Sequence, residues 1–487
     1  MVNKHKLYLI SFVEGASVMA AEICGAKLLA PFFGSSLYVW SSVMAITLGG
    51  LASGYFIGGK LSKKEHKVSV LQYILIAAVT CLCLMPLLTH VFIFIASHLS
   101  LIPAVISSVF ILLFPTTLCM GATSPLIISI LTQTANDSGE NSGRIYAIST
   151  LGGIIATFLC GFYLIPTIGI TMTLLCFSLA LAIVSLLLIN LKKNNYLLML
   201  LPFGIAMYGF TNAPVSKQTI YETEGILGKL EVRDEPSYTD ASVTIRKLLI
   251  NNIVQTEMDV VTKQSVSQYI QLMEKNLSHF PKGKALVLGL GGGIVANKLM
   301  NHHYSVTAVE FDARIIDMAR QFFYLNDSVN AINDDARHYI NQCSEMYQLI
   351  LFDIFKAEEQ PSHVITIESL NKLKQLMDTN SVVLINTHGY IEGTKGLGTQ
   401  CLLATLKKAG FCTKVCTFSE DERYRNLLIV AFLKPLNTTL TNELTPIDIT
   451  YPEIVNTDNK PILEILNAPA NQAWRSSYLR NYILSKD

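Results

Sequence analysis

Charge is what this sequence lacks. No Asp, Glu, Lys or Arg occurs between residues 68 and 131, or between Ile145 and Leu191. Before Lys60 the only charged residues past Lys6 are Glu14, Glu22 and Lys27. Over all 487 residues the charged fraction is 15%, against about 25% in soluble domains. That excludes a purely soluble enzyme and a disordered chain. Net charge is lacking as well: 37 Lys+Arg face 36 Asp+Glu, so no global basic surface points to nucleic acid. Zinc-site spacing is missing too. Ten cysteines are scattered along the chain, and the pair Cys412 and Cys416 has no second pair at a suitable distance. They read as small buried apolar side chains, and no metal is expected.

What is there divides into two unlike halves. An apolar run of about 20 residues crosses the hydrocarbon core as a helix. The spacing predicts such helices near 7–30, 38–59, 68–88, 102–131, 145–165 and 168–191, with a shorter apolar run at 196–213. The first is no cleaved signal peptide, because it is too long, contains Glu14 and Glu22, and is followed by further spans. Pro115 and Pro125 predict a kink or break in the fourth. Lys4 and Lys6, the Lys60–Lys67 loop, and Lys192 and Lys193 lie an even number of crossings apart, which places both ends of six spans on the cytoplasmic side. If 196–213 also crosses, the remainder of the chain lies outside; if it is interfacial, the remainder lies inside.

From about residue 217 charge density becomes ordinary and strands alternate with helices. Thr219–Ile253 reads as strand-rich. Ala285–Leu288 is a buried strand that runs into Gly289-Leu-Gly291-Gly292-Gly293. Strands ending in Glu310, near Asn333 and in Asp353 follow, with helices between them, and two more strands lie at Ser381–Asn386 and Leu427–Phe432. This βαβ alternation implies a mostly parallel sheet with helices on both faces. Its ligands sit beyond the carboxyl ends of the strands. Four features fall there. The turn at Gly289, Gly291, Gly292 and Gly293 lets backbone approach a ligand. Glu310, about twenty residues on, is placed for ribose hydroxyls. Asp335, followed by Ala336, suits an adenine edge, and Asp353 faces a reacting centre. Together they point to a nucleoside ligand. Spacing alone also admits a nicotinamide site, and Glu310 and Asp335 also read as helix caps or loop residues.

With those residues in view, residues 219–434 resemble the spermidine synthase (polyamine aminopropyltransferase) family, a relative of S-adenosylmethionine methyltransferases. The likeness rests on Leu290–Gly293, Val309-Glu310-Phe311-Asp312, Asp335-Ala336-Arg337 and the turn at Leu249–Gln255. Motifs at Glu14-Gly15, Leu29–Trp40, Gly121–Pro125, Tyr146–Gly153, Asp353–Phe355, Pro361–Glu368 and Thr457–Pro461 extend it. The whole chain resembles bacterial proteins that fuse a transporter-like membrane module to such a domain. The fold implied is a multi-pass α-helical membrane domain followed by an α/β Rossmann-like, S-adenosylmethionine methyltransferase-type domain with an N-terminal β-rich extension. The boundaries read are 1–214 for the membrane module of six or seven spans, 215–260 for the β-rich part, 261–435 for the Rossmann-like part and 436–487 for a C-terminal extension.

The implied activity moves an aminopropyl group from decarboxylated S-adenosylmethionine to a small-molecule amine. In that reading Asp353 positions the amine and takes its proton, while Gln255 binds the donor with the glycine turn, Glu310, Asp335 and Ala336. A loop at 354–366 closes over the site, and His363 orients the acceptor or caps the loop. Two departures matter. Ile294 and Val295 stand where the family's glycine turn continues with Asp-Gly. Lys356 stands where a second aspartate binds the acceptor, and a cation there repels a protonated amine. The alternatives are an S-adenosylmethionine-dependent methyltransferase, and a polyamine transporter whose soluble domain senses a nucleoside. Further expectations are a bacterial inner membrane location, a cytoplasmic synthase-like domain, the lipid bilayer as partner and, from the classical relatives, a homo-oligomer. In the apolar half, Glu14, Glu22 and Lys27 read as a cation or polyamine path, or as a Glu–Lys pair that fixes helix packing.

Overall fold

A computed structural model describes residues 3–33, 37–99, 101–132, 134–186, 188, 202–205, 218–225, 227–237, 240–354, 362–417, 426–434 and 454–473. The apolar run 196–213 lies almost entirely outside these residues, and Lys356 lies outside them. The chain separates into two compact units. One is Met1–Lys217 with Thr223–Leu230; the other is Gln218–Glu222 with Glu231–Asp487.

The first unit is helical: α1 (Lys4–Phe33), α2 (Leu37–Leu61), α3 (Lys67–Leu84), α4 (Thr89–His98), α5 (Leu101–Leu131), α6 (Ser138–Leu159) and α7 (Ile165–Leu186). By length and composition, five helical stretches suffice to cross a membrane, the last being Ser138–Leu186 taken whole. The two final predicted spans therefore run into one helical stretch, joined by a π-helical turn at Cys160–Leu164. Forty-nine residues would measure about 74 Å if straight, more than twice a hydrocarbon core of about 30 Å. The stretch is interrupted at Gly169, which is non-helical (φ 80°, ψ 175°), and both α6 and α7 pack on α1. The Ile170 N–H just past this break donates to Glu224 Oε2 at 2.8 Å, so a carboxylate meets the start of the second arm as at a helix N-terminus.

The expected break in α5 does not occur. The helix is continuous from Leu101 to Leu131 with Pro115 and Pro125 inside it. Its packing face against α2 is built from small residues. Gly50, Gly54 and Gly58 recur every fourth residue on α2 and meet Thr117, Leu118 and Ala122, while Gly121 on α5 meets Leu51. Small residues let the two backbones touch. A Cβ at Gly54 would overlap the Leu118 carbonyl oxygen, whereas one at Gly49 meets nothing within 4 Å. Gly54→Val is expected to destabilise the helical unit by about 1–3 kcal/mol, the usual range for overpacking, and Gly49→Val to leave it within about 0.5 kcal/mol. Thermal unfolding of the detergent-solubilised protein reads the difference.

The residues from Thr219 onward carry two sheets. Strands β1 (Thr219–Gly225), β2 (Gly228–Pro236), β3 (Thr244–Ile250) and β4 (Ile253–Asp259) form a sheet in that order; β3 and β4 pair antiparallel, with a register shift between Leu248 and Leu249. The larger sheet holds β5 (Lys284–Leu288), β6 (Ser305–Glu310), β7 (Asn330–Asn333), β8 (Tyr347–Phe352), β9 (Met377–His388), β10 (Cys412–Thr417) and β11 (Asn426–Phe432). Its order is β10-β11-β9-β8-β5-β6-β7. The five strands β9-β8-β5-β6-β7 are parallel, and β11 and β10 turn antiparallel. This is the doubly wound, Rossmann-like arrangement expected. One core lies on each face: Val287, Leu299, Val306 and Leu384 on one, Leu286, Ile350, Leu370 and Leu403 on the other. Strand β10 is missing from the sequence expectation, because Cys412-Thr-Lys-Val-Cys-Thr417 is an edge strand with Cys412 exposed and Val415 and Cys416 buried. Cys176 is exposed as well, so burial does not hold for every cysteine.

Candidate active site

Chain order reverses at β5: the chain proceeds to β6 and β7 on one side, and to β8 and β9 on the other. A crevice therefore opens beyond the carboxyl ends of β5 and β8. The glycine turn and Asp353 sit at these two ends. Gly289, Gly291 and Gly293 have φ of 90°, 52° and 76°, values that L side chains rarely adopt. A Cβ on Gly289 would strike the Asp353 carbonyl oxygen. Gly292 is held from the smaller sheet: its N–H donates to Thr256 Oγ1 at 2.8 Å. Thr256 was not singled out in the sequence. Its neighbour Gln255, which was, donates to Ile253 O of its own strand at 3.3 Å. Successive strand residues point to opposite faces, and of this pair Thr256 is the one bonded to the turn.

Glu310 is 7% exposed and braces two loops. Its Oε2 accepts from Leu290 N–H at 3.0 Å and its Oε1 from Asp312 N–H at 3.1 Å. A carboxylate accepts up to about four hydrogen bonds, so this bracing is compatible with a diol at the same oxygens. Asp335 caps the helix Ala336–Gln342: its Oδ1 accepts from Arg337 and His338 N–H at 2.8 and 3.0 Å. Its Oδ2 lies 3.4 Å from His363 Nε2. His363, then the cap, hold its pKa below the ordinary value. Capping the helix and meeting His363 thus use the two oxygens of one side chain. Ala336 is buried at the first turn of that helix.

Asp353 is held from two sides. Tyr269 Oη donates to its Oδ2, and Asn386 Nδ2 donates to its Oδ1, each at 2.8 Å. Burial raises its pKa above that of an ordinary aspartate, against the lowering effect of Asn386 and Tyr269. Burial and the Asp353 charge push the Tyr269 phenol well above the usual range, so it keeps its proton and remains the donor. Asn386 Oδ1 is buried with no partner among the described residues. Neither Tyr269 nor Asn386 carried a sequence signal: one sits in an amphipathic helix, the other near the end of an apolar strand.

Beyond the undescribed part of the loop, residues 362–366 are fixed by a segment far along the chain. Asn456 is fully buried; its Nδ2 donates to Ser362 O at 2.6 Å and Ile365 O at 2.7 Å. Asp458 accepts from Thr366 Oγ1 at 2.7 Å and pairs with Arg337 Nη2 at 2.9 Å. Arg337 in turn donates to His363 O at 3.1 Å. The region read as a C-terminal extension thereby helps place His363 at Asp335.

A second anchor is His388, at the end of β9. It is buried against Asn471 Oδ1 at 3.0 Å, and burial pushes its pKa down to about 4. A base whose folded pKa is depressed destabilises the fold as pH falls below its unfolded value. The fold is thus expected to lose up to about 3 kcal/mol between pH 6.5 and 4 through this residue. His388→Gln should flatten that part of a urea-denaturation profile against pH. Among the described residues no group of three or more His, Cys, Asp or Glu could hold a metal ion.

Residues 265–425 match the family model described as the spermine/spermidine synthase domain. A polyamine aminopropyltransferase of Vibrio vulnificus is 30% identical over 178 residues, which are 34% of this chain and 58% of that protein. An N-terminal histidine N-methyltransferase of Emericella nidulans is 31% identical over 112 residues, 22% of this chain and 20% of that protein. The crystal structure of a probable spermidine synthase from Corynebacterium glutamicum covers 48% of this chain and 86% of its own, at 17% identity and a TM-score of 0.39. The chain spans less than two thirds of either curated relative. It is residues 265–425, and with them Tyr269, the glycine turn, Asp335 and Asp353, that carry the likeness to the spermine/spermidine synthase domain.

Proposed function

We propose that the α/β unit is a membrane-linked aminopropyltransferase that uses decarboxylated S-adenosylmethionine and an aliphatic amine. The observation that carries this is Asp353, a carboxylate of raised pKa held between Tyr269 and Asn386 at the point where strand order reverses. The glycine turn offers bare backbone to the nucleoside, Glu310 its carboxylate to the ribose, and Asp335 its Oδ2 to the base. When bound, the sulfonium donor supplies an activated methylene. The amine nitrogen forms the new C–N bond, the C–S bond breaks with its electron pair left on sulfur, and methylthioadenosine departs. Asp353 accepts the proton that the amine sheds. Tyr269 and Asn386 fix the carboxylate in one orientation, and Asn386 Oδ1 is a second acceptor for an ammonium N–H. That second acceptor supplies what the Lys356 position does not.

Methyl transfer is a second reading, favoured by Ile294. It is 5% exposed and apolar, so the turn presents no carboxylate where an aminopropyl ammonium would be held. A donor that keeps its own carboxylate meets no repulsion there. The test offers the full-length protein each sulfonium donor with putrescine, spermidine and cadaverine. Methylthioadenosine supports the first reading and S-adenosylhomocysteine the second. Nucleoside binding with neither product supports the sensing role of a transporter instead. A bacterial inner membrane location with the α/β unit in the cytoplasm is part of the proposal; a periplasmic signal from a reporter fused at Asp487 would overturn it.

A further inference from the structure

The helical unit buries a carboxylate that the proposed transfer reaction does not use. Glu14 is 2% exposed and lies in α1 ten residues past Lys4, about 15 Å along the axis and so near mid-depth of a spanning helix. Its Oε2 accepts a hydrogen bond from Ser149 Oγ of α6 at 3.2 Å. The expected Glu–Lys pair does not form at this residue. Lys27 lies thirteen residues further along the same helix, about 20 Å away. A carboxylate accommodates about four hydrogen bonds, and an ionised one in apolar surroundings is stable only when a cation faces it.

The surroundings of Glu14 are asymmetric. Toward α6 there is no room: a Cβ on Gly15 would overlap Ser149, and one on Gly152 would overlap the Phe12 carbonyl. The other flank is aromatic. Tyr55 of α2 reaches this flank by way of Tyr146 of α6. Its ring meets that of Tyr146 edge-on, with centroids 6.2 Å apart and planes at 85°. Tyr146 and Ser149 are three apart on α6 and share a face. The two tyrosines are 39% and 44% exposed, so this flank is less enclosed than the one against α6. Acceptor oxygens inside and tyrosine rings on the less enclosed side suit a group that is cationic and carries several N–H donors. An ammonium meets both requirements; an alkali ion can use the same oxygens, and competition with sodium separates the two.

We propose that Glu14, Ser149, Tyr55 and Tyr146 form a binding site in the helical unit for the protonated amino group of an aliphatic amine. The site stands on residues of the helices alone and does not depend on what the α/β unit transfers.

The test is binding of radiolabelled putrescine to the full-length protein in lipid nanodiscs. An Asp353→Asn background removes the other amine-binding carboxylate. Saturable binding is expected in that background, and Glu14→Gln added to it should weaken binding about tenfold or more, as loss of a charge-assisted contact does. Tyr55→Leu should also weaken it and Tyr55→Phe should not, which tests the site even if the Glu14 variant unfolds. Sodium chloride at equal ionic strength should not displace the label. No saturable binding in the Asp353→Asn protein, equal binding with and without Glu14, or displacement by sodium alone would overturn the proposal. Failure of the transfer reading shows separately, as wild-type protein that forms no methylthioadenosine.

Discussion

Asp353→Asn is expected to lower kcat of the purified protein by about 10²–10⁴-fold, the range for removing a positioned general base, while leaving the fold intact. Asparagine keeps the shape but has a single acceptor oxygen, so it can accept from one of Tyr269 and Asn386 at most, and it cannot take the amine proton. Nucleoside affinity should change little, because the glycine turn, Glu310 and Asp335 are untouched. A variant that retains full turnover would remove Asp353 from the chemistry. The same carboxylate sets a pH signature. Its burial places the acid limb of kcat/KM above the ordinary aspartate value of 3.8, with activity lost as pH falls through the raised pKa. Tyr269→Phe removes a hydrogen bond that lowers that pKa, so the limb should move to higher pH; an unmoved limb would assign it to another group.

Gly289→Ala is expected to have the larger structural effect. The residue has φ of 90° and lies against the Asp353 backbone. An added methyl is therefore strained by conformation and by contact with atoms that cannot rotate away. Each such strain is worth about 1–3 kcal/mol, so a loss of about 2–5 kcal/mol in thermal or urea unfolding should accompany loss of nucleoside binding. Because the methyl pushes on Asp353 O, residual protein should also show reduced kcat. Unchanged stability would mean that the turn adopts another conformation in solution.

These two positions were legible because their signals are local. A run of apolar β-formers that stops at glycines marks Ala285–Gly293, and a carboxylate after Tyr347–Phe352 marks Asp353. The partners of Asp353 were not, since Tyr269 and Asn386 lie 84 and 33 residues away in sequence and meet it only once the sheet forms. Thr256, beside Gln255, also carried no such signal. A shift of one residue along a strand exchanges its faces, and Thr256 is the side chain at the turn. In the helical half, proline was the expected breaker and glycine is the actual one. Pro115 and Pro125 sit within a continuous α5, while Gly169, with its positive φ and Glu224 beyond it, interrupts the long stretch. Local composition gave no hint of that, because the carboxylate lies 54 residues away.

The clasp at Asn456 also has a meaning in time. Ser362 and Ile365 offer carbonyls that await a donor 94 and 91 residues later in the chain. At about 5–20 residues per second, synthesis delivers that donor roughly 5–20 s after the carbonyls emerge. Until then the parallel strands can assemble while the end of the loop beside Asp335 stays unclasped. Assembly of the crevice is thus ordered, with the framework first and the fastening of His363 last, and the nascent protein acquires its fold before it acquires its finished site.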